Sequence, residues 1–420
     1  MDTKPRRAAF LAEPTFRYGI LIGWYWLTFN TMLNFSTMLF NSYGMTSYEV
    51  GLASACTSVA NVVAQPIWGL VCDRMPRIRR VYCIGLIGAM AAVLLRYADT
   101  GNKWLLVAST CLVYFCFMPL SSMQDAWINR MNANGMAIRY PVARSFGSMG
   151  GVVGSLVFGI LADRFGVVIM APTFLLFAAV LILYVHTLTE PRAVIAEKTA
   201  RAGRQEDSFR YVLRQLLVNR QYLILLFAYT LSSAGLNALH TFLSVKITRL
   251  GGGFAQFGTM SAITASCEIV FLMLFPKIRR RVRPQGIMAI GFFFTLVRIL
   301  CVSRAATIPQ IFLIALLHGP SGGILIGGAV AYLSEVVDRK VLFTAQTCMA
   351  AMLGIGSIAG NYVGGLLTVR FPLDTVILLL GILPLTAFAA MGCNFLRLHR
   401  ADKRRDAPGP DGPGRDDPRN

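Results

Sequence analysis

Long apolar runs, interrupted at short intervals by charged residues, prolines and glycines, dominate the chain between residues 18 and 396. A run of about 20 apolar residues crosses the hydrocarbon of a bilayer as a helix. The pattern predicts twelve such helices, at 18–40, 48–71, 81–97, 104–127, 142–161, 167–187, 222–245, 257–275, 286–302, 308–333, 343–369 and 373–396. A polar, basic interval at 190–221 separates six spans from six. The expected fold class is therefore all-α: a polytopic membrane protein of twelve transmembrane helices in two six-helix bundles. The bundles occupy 1–189 and 222–396, with a cytoplasmic linker at 190–221. After Arg397 the chain turns charged and carries Pro408, Gly409 and Pro410, the composition of a disordered cytoplasmic tail over 397–420.

Composition agrees with this pattern. The chain has 420 residues, 55% hydrophobic and only 14% charged, against about 25% charged in soluble proteins. The formal charge is +20, a balance that on a polar domain would suggest nucleic acid. Here the basic residues sit in short runs between apolar stretches, so no nucleic-acid partner is expected. With the N-terminus inside, 31 of the 40 Lys and Arg residues fall on the inner side and 6 on the outer, while Arg96, Arg144 and Arg298 lie within spans. That is the positive-inside distribution, and it predicts an integral protein of the plasma or inner membrane with both termini cytoplasmic. Lys4, Arg6 and Arg7 resemble the start of a signal peptide, but the apolar run that follows is too long for one.

The nine cysteines lie in or beside apolar stretches with no CxxC pair and no histidine at metal spacing. Neither a disulfide framework nor a metal site is predicted. No GxxxxGK[ST] loop is present, and 190–221 is too short to fold as a catalytic domain, so no cofactor, no ATP drive and no enzyme activity are expected.

The two halves repeat. At an offset of 207, Trp26, Asn30, Asn34 and Thr37 of the first span meet Ser233, Asn237, Thr241 and Ser244 of the seventh. At the same offset Ser54, Thr57 and Asn61 of the second meet Ser261, Thr264 and Glu268 of the eighth. At 206, Gly150, Gly154 and Gly159 meet Gly356, Gly360 and Gly365. The polar positions recur at steps of three and four, hence on one helical face. Lipid offers no hydrogen-bond partner, so that face looks into protein or water. A shared hydrophilic cavity is predicted between the halves, with Asn30, Asn34, Asn237 and His240 on its wall; interhelical hydrogen bonding is the alternative. The glycines Gly147, Gly150, Gly151 and Gly154, with Gly356, Gly360 and Gly364, form small-residue rows that let backbones approach.

After the second span the chain reads Gly69-Leu-Val-Cys-Asp73-Arg74-Met-Pro-Arg77-Ile-Arg79-Arg80, which resembles the GxLaDrxGrrr loop of the major facilitator superfamily. Gly69 would permit a close helix crossing, Asp73 would accept from a helix N-terminus, and Arg74 and Arg77 would complete the conformational-switch loop. Lys277 and Arg279–Arg281 hold the equivalent place in the second half without the Gly and Asp. Ala64-Gln-Pro-Ile-Trp-Gly69, Ala143-Arg-Ser-Phe-Gly-Ser-Met-Gly150 and Val297-Arg-Ile-Leu300 are similar to the branch holding the lactose permease and its nucleoside and phenylpropionate relatives. The resemblance implies the major facilitator fold and a monomer. It implies a substrate and proton pathway through Asp125 paired with Arg144, and through Glu268, Arg298 and His318. Two positions depart from that branch: Gly151 replaces the sugar-stacking tryptophan and Ser321 replaces the proton-carrying glutamate. Galactoside transport is thereby disfavoured and the coupling ion left open.

Ionisable side chains near the bilayer centre cost on the order of 2.5–3.5 kcal/mol on insertion scales and mark function by default. At 1.5 Å per residue Glu268 is ~17 Å, His318 ~15 Å and Arg298 ~6 Å from the outer end of its predicted span. The expectation is a secondary active transporter working by alternating access, carrying a small polar or aromatic solute (a sugar, nucleoside or aromatic acid) inward with protons. A proton-driven exporter is the runner-up and a membrane solute sensor the third reading.

Overall fold

The computed structural model describes residues 13–75, 77–97, 101–188, 190, 214–338 and 341–405. All regular structure among the described residues is helical, and it forms twelve rods that overlap the twelve predicted spans. The rods of the first half are Pro14–Met32 with Ser36–Ser42, then Ser47–Arg74, Ile78–Leu94, Lys103–Ala133, Tyr140–Phe165 and Val167–Thr187. Those of the second are Arg220–Arg249, Phe254–Arg281, Pro284–Arg304, Ile308–Val336, Leu342–Arg370 and Leu373–Arg405. Ten are long and apolar enough to cross a membrane; the first is broken at residues 33–35 and the third has 17 residues. The expected tail beyond 405 and most of the linker, 191–213, lie outside the described residues.

One face of the molecule gathers the basic loops, with Arg74, Arg77, Arg79, Arg80 and Arg139 in the first half and Lys277 to Arg283 in the second. We call it the basic face and its opposite the far face. Glu190 holds the start of the third span, accepting from the Arg79 amide at 2.9 Å with the Arg79 side chain 3.7 Å away.

Breaks in the rods fall where the sequence frees backbone groups, and neighbouring side chains take them up. At 33–35 the Leu33 carbonyl accepts from Tyr114 at 3.2 Å. Pro119 interrupts the fourth span, and the Tyr25 hydroxyl stands 3.4–3.5 Å from the Met118 and Phe117 carbonyls. In the tenth span Gly319-Pro-Ser-Gly-Gly323 forms one wide π turn between helices Ile308–Ala315 and Ile324–Val336. Pro320 lacks an amide hydrogen and the glycines add freedom, so the ladder shifts register there. His318 stands at the lip of this turn.

The halves pack by one plan used twice. The first span crosses the fifth over Gly147, Gly150 and Gly154, and the seventh crosses the eleventh over Gly356, Gly360 and Gly364. Gly150 abuts the Gly23 carbonyl; a methyl group on Gly356 would stand 2.7 Å from the Thr230 carbonyl oxygen, the repeat-related place. Asn34 donates to Ser155 at 3.4 Å, and their counterparts Thr241 and Asn361 bond at 2.9 Å. Gly151 departs from the expected packing row, because among the described residues nothing beyond its own helix lies within 4 Å of the place its side chain would occupy.

Between the halves, the second span meets the eleventh and the fifth meets the eighth, in both cases at the far-face ends. A methyl group on Gly51 would lie 2.7 Å from the Gly365 Cα, and one on Gly159 would lie 2.7 Å from the Phe254 carbonyl oxygen. Ser58 and Ser357 share a hydrogen bond of 3.1 Å. Towards the basic face the same helices separate, leaving Gln65, Ile67, Val142, Ser145 and Met149 exposed. The molecule is closed at the far face and open at the basic one. Gly69 accordingly crosses nothing in this arrangement, contrary to the close crossing expected of it, since its partner helix lies apart.

Candidate functional site

A cavity of about 250 Å³ lies between the halves where the first, fifth, seventh and eighth spans converge. Trp26, Phe29, Asn30 and Asn34 wall one side, Arg144, Ser148, Gly151 and Ser155 another, and His240, Ser261, Thr264 and Glu268 the third. The aromatic triplet of the first span divides its work. Trp24 stacks on Phe177 and donates to its carbonyl at 3.0 Å, Tyr25 stacks on Phe117, and only Trp26 reaches the cavity. The guanidinium of Arg144 lies 5.3 Å from the Trp26 ring centroid, a cation–π distance. Trp26 Nε1 and Ser261 Oγ are buried without a hydrogen-bond partner among the described residues. Buried polar atoms are normally satisfied; these two lie beside the cavity but are covered in this conformation.

Glu268, at the middle of the eighth span, meets His318, whose Nε2 is 3.4 Å from Glu268 Oε2. His318 Nδ1 is 2.6 Å from Arg298 Nη1. Glu268 is one-third exposed towards the cavity, His318 nearly buried and Arg298 fully so, with Arg298 Nε unpartnered among the described residues. The three are brought together as a chain, but Glu268 and Arg298 do not pair directly because the imidazole occupies the space between them. Gly322 and Gly323 make this possible: the first lies under the His318 ring, and a methyl group on the second would come within 3.3 Å of the Glu268 backbone.

Asp125 and Arg144 are not joined. Asp125 accepts from the Tyr140 hydroxyl at 3.0 Å, and no ion pair within 4.0 Å links it to Arg144 among the described residues. The reason is local: Tyr140 opens the fifth span beside the fourth, while Arg144 leans one turn away over Trp26. Asn30 lies on the cavity wall but is itself buried, bonding the Trp26 carbonyl at 2.8 Å and Ser155 at 2.7 Å. Asn237 does not line the cavity; it bonds Ser233 on its own helix. His240 is exposed into the cavity with its ring edge-on to Phe257. Of the stripe, Thr241 and Ser244 are buried in contacts with the eleventh and first spans, not wetted. Arg74 and Arg77 are exposed and their side chains make no hydrogen bond among the described residues; the side chain of Asp73 lies outside them.

Sequence reasoning missed two charged groups. Lys246, assigned to a loop because the apolar run ends at 245, is buried in the seventh span. It donates to the Val302 and Ser303 carbonyls at 2.7 and 3.1 Å and to Asp374 at 2.7 Å, beside a hollow of about 560 Å³ at the far face. Asp163, at the far-face end of the fifth span, accepts from the amides of Phe254 and Ala255.

Twelve membrane-crossing helices in two repeated bundles around a polar cavity open to one side define a membrane transport protein. A profile of the family described as "MFS_1 like family" matches residues 18–390, and the chain belongs to that family, within the major facilitator superfamily. It is 24% identical over 346 residues to the maltose permease of Geobacillus stearothermophilus, covering 79% of this chain and 82% of that one. It is 22% identical over 361 residues to the multidrug resistance protein MdtG of Escherichia coli, covering 83% and 86%. The crystal structure of the nucleoside transporter NupG superposes with a TM-score of 0.76 at 17% identity, covering 91% of this chain and 98% of that one. A bacterial homologue of the human lysosomal transporter Spinster, inward-facing and unoccupied, superposes with a TM-score of 0.67 at 13% identity, covering 93% and 97%.

Proposed function

We propose that the protein is a proton-coupled symporter that takes up a small polar or aromatic solute by alternating access, residues 1–189 and 222–396 moving as two bodies about the linker at 190–221. The observation that carries this reading is the Glu268–His318–Arg298 chain, an ionisable relay with one end on the cavity and the other in the protein interior. A carboxylate that gains and loses a cationic neighbour as the halves rock takes up and releases a proton in step with the motion. The cavity supplies an aromatic face at Trp26, a cation at Arg144 and neutral hydrogen-bonding groups, a set suited to a sugar, nucleoside or aromatic acid. We take the basic face as cytoplasmic, with both termini on it, the membrane as plasma or inner, and the working unit as a monomer.

An exporter driven by proton exchange is the second reading, favoured by the likeness to a multidrug resistance protein. Purified protein in liposomes tests both. A thermal-shift screen of sugars, nucleosides and aromatic acids supplies the solute, since a ligand that binds only the folded state raises its melting temperature. An inward-acidifying gradient then accumulates that solute if the symport reading holds and expels it if the exporter reading does.

A further inference from the structure

The fifth span ends Gly159-Ile-Leu-Ala-Asp163-Arg164-Phe-Gly166, and the second ends Gly69-Leu-Val-Cys-Asp73-Arg74. The spacing of glycine, aspartate and arginine is the same in both. The second and fifth spans run in opposite directions within one half, and each is an interface helix, packed on the eleventh and the eighth. The pattern therefore stands twice, once at each face of the membrane.

At the far face the geometry is explicit. Asp163 Oδ1 accepts from the Phe254 amide at 2.7 Å and Oδ2 from the Ala255 amide at 2.9 Å. These amides open the eighth span, where a helix has unsatisfied donors and a partial positive charge. The cap residue of that helix is Gly253, which has no side chain to offer, and a side chain there would press within 3.0 Å of the Asp163 carboxyl carbon. Gln256 serves only the Gly253 amide, at 2.8 Å. The repeat-related second span is capped from within its own half: Thr46 accepts from the Glu49 amide at 3.3 Å and Glu49 from the Thr46 amide at 2.7 Å. Glu49 corresponds to Gln256 at the offset of 207. The eighth span thus lacks an acid of its own and takes one from the opposite half, an arrangement that exists only while the far face is shut.

We propose that Asp163 is the latch of the far-face gate, holding the fifth span to the eighth while the basic face is open, and that its release from the amides of residues 254 and 255 is a required step in opening the far face. Asp163 touches no solute; it acts by setting the balance between the two conformations. The proposal rests on the reading of the protein as an alternating-access transporter, and its first test uses distances that need no solute, so a failure of either is seen separately.

Spin labels on cysteines at Val168 and Ala306 report the far face, and labels at Ala137 and Val218 the basic face, all exposed positions in opposite halves of a cysteine-free protein. Asp163→Ala is expected to raise the ratio of far-face-open to far-face-closed molecules roughly tenfold, the scale of losing a helix N-cap. The far-face distances lengthen and the basic-face distances shorten together. Should Asp163→Ala not fold, Asp163→Asn, which keeps shape and one acceptor without the charge, shifts the ratio in the same direction by less. Distance distributions unchanged from the parent in the folded variant overturn the proposal. In a second arm, Asp163→Cys with Gly253→Cys is oxidised: solute movement should stop on cross-linking and return on reduction, and full activity of the cross-linked protein likewise overturns it.

Discussion

His318 Nδ1 lies 2.6 Å from Arg298 Nη1, and that contact fixes which proton the imidazole carries. A guanidinium only donates, so Nδ1 accepts and the neutral ring keeps its hydrogen on Nε2, the nitrogen 3.4 Å from Glu268. A second proton on Nδ1 would set N–H against N–H and break the contact with Arg298. In this conformation the histidine bridges the two charged groups, accepting from Arg298 and turning its Nε2 hydrogen towards Glu268.

Removing the bridge should cost stability before it costs transport. His318→Ala leaves the buried Arg298 without its hydrogen bond and is expected to destabilise by about 1–3 kcal/mol. His318→Gln, whose carbonyl accepts and whose amide donates, should recover most of that loss. Thermal unfolding of the two purified variants checks the order; equal melting temperatures would mean the contact carries no energy.

Two neighbouring glycines should behave differently. Gly150 abuts the Gly23 carbonyl, whereas a methyl group on Gly151 would meet no other part of the described residues within 4 Å. Gly150→Ala is expected to lower stability by about 1–3 kcal/mol through overpacking, and Gly151→Ala to be close to neutral or slightly stabilising. Melting temperatures of the pair provide the comparison.

Thiol labelling maps the water. Cysteines replacing Ser148 and Ala265 on the cavity wall should react with a water-soluble maleimide in the conformation open at the basic face, and one replacing Thr241 should not. Rapid labelling at Thr241 together with protection at Ser148 would place the opening on the other face.

Trp26 presents its ring to the cavity, and its Nε1 hydrogen, buried beside the cavity, has no hydrogen-bond partner among the described residues. Trp26→Phe keeps an aromatic face, loses the second ring of the indole and removes the donor, and should raise KM for transported solute roughly two- to tenfold, about 0.5–1.5 kcal/mol. Initial uptake rates against concentration measure it, and an unchanged KM would mean that the solute does not use this donor.

The twelve helices were legible because each needs one long apolar run and lipid punishes any other arrangement. The site was legible in a different way. Glu268, His318 and Arg298 stood out as ionisable groups in apolar surroundings, but their joining depends on the wide turn of Gly319–Gly323, which no count along the sequence reveals. The polar stripe gave a face and not its covering: Asn34 fronts the cavity, while Asn30 and Thr241 on the same pattern are buried in bonds to Ser155 and Asn361. Lys246 escaped notice because a buried lysine is read as a loop residue unless Asp374, 128 positions away, is known to meet it. Asp163 shares the Gly69–Asp73–Arg74 spacing through Gly159 and Arg164, but its partners are backbone amides of the other half, which no side-chain pattern marks.

Glu268→Gln tests the central claim most directly, because it removes the proton site and keeps the size of the side chain. In liposomes loaded without solute, the parent should accumulate solute under an imposed pH gradient, and the variant should not. The variant should still exchange labelled for unlabelled solute at equal concentrations, which separates loss of coupling from loss of binding. Accumulation by Glu268→Gln equal to the parent under the same gradient would contradict the assignment of Glu268 as the coupling residue.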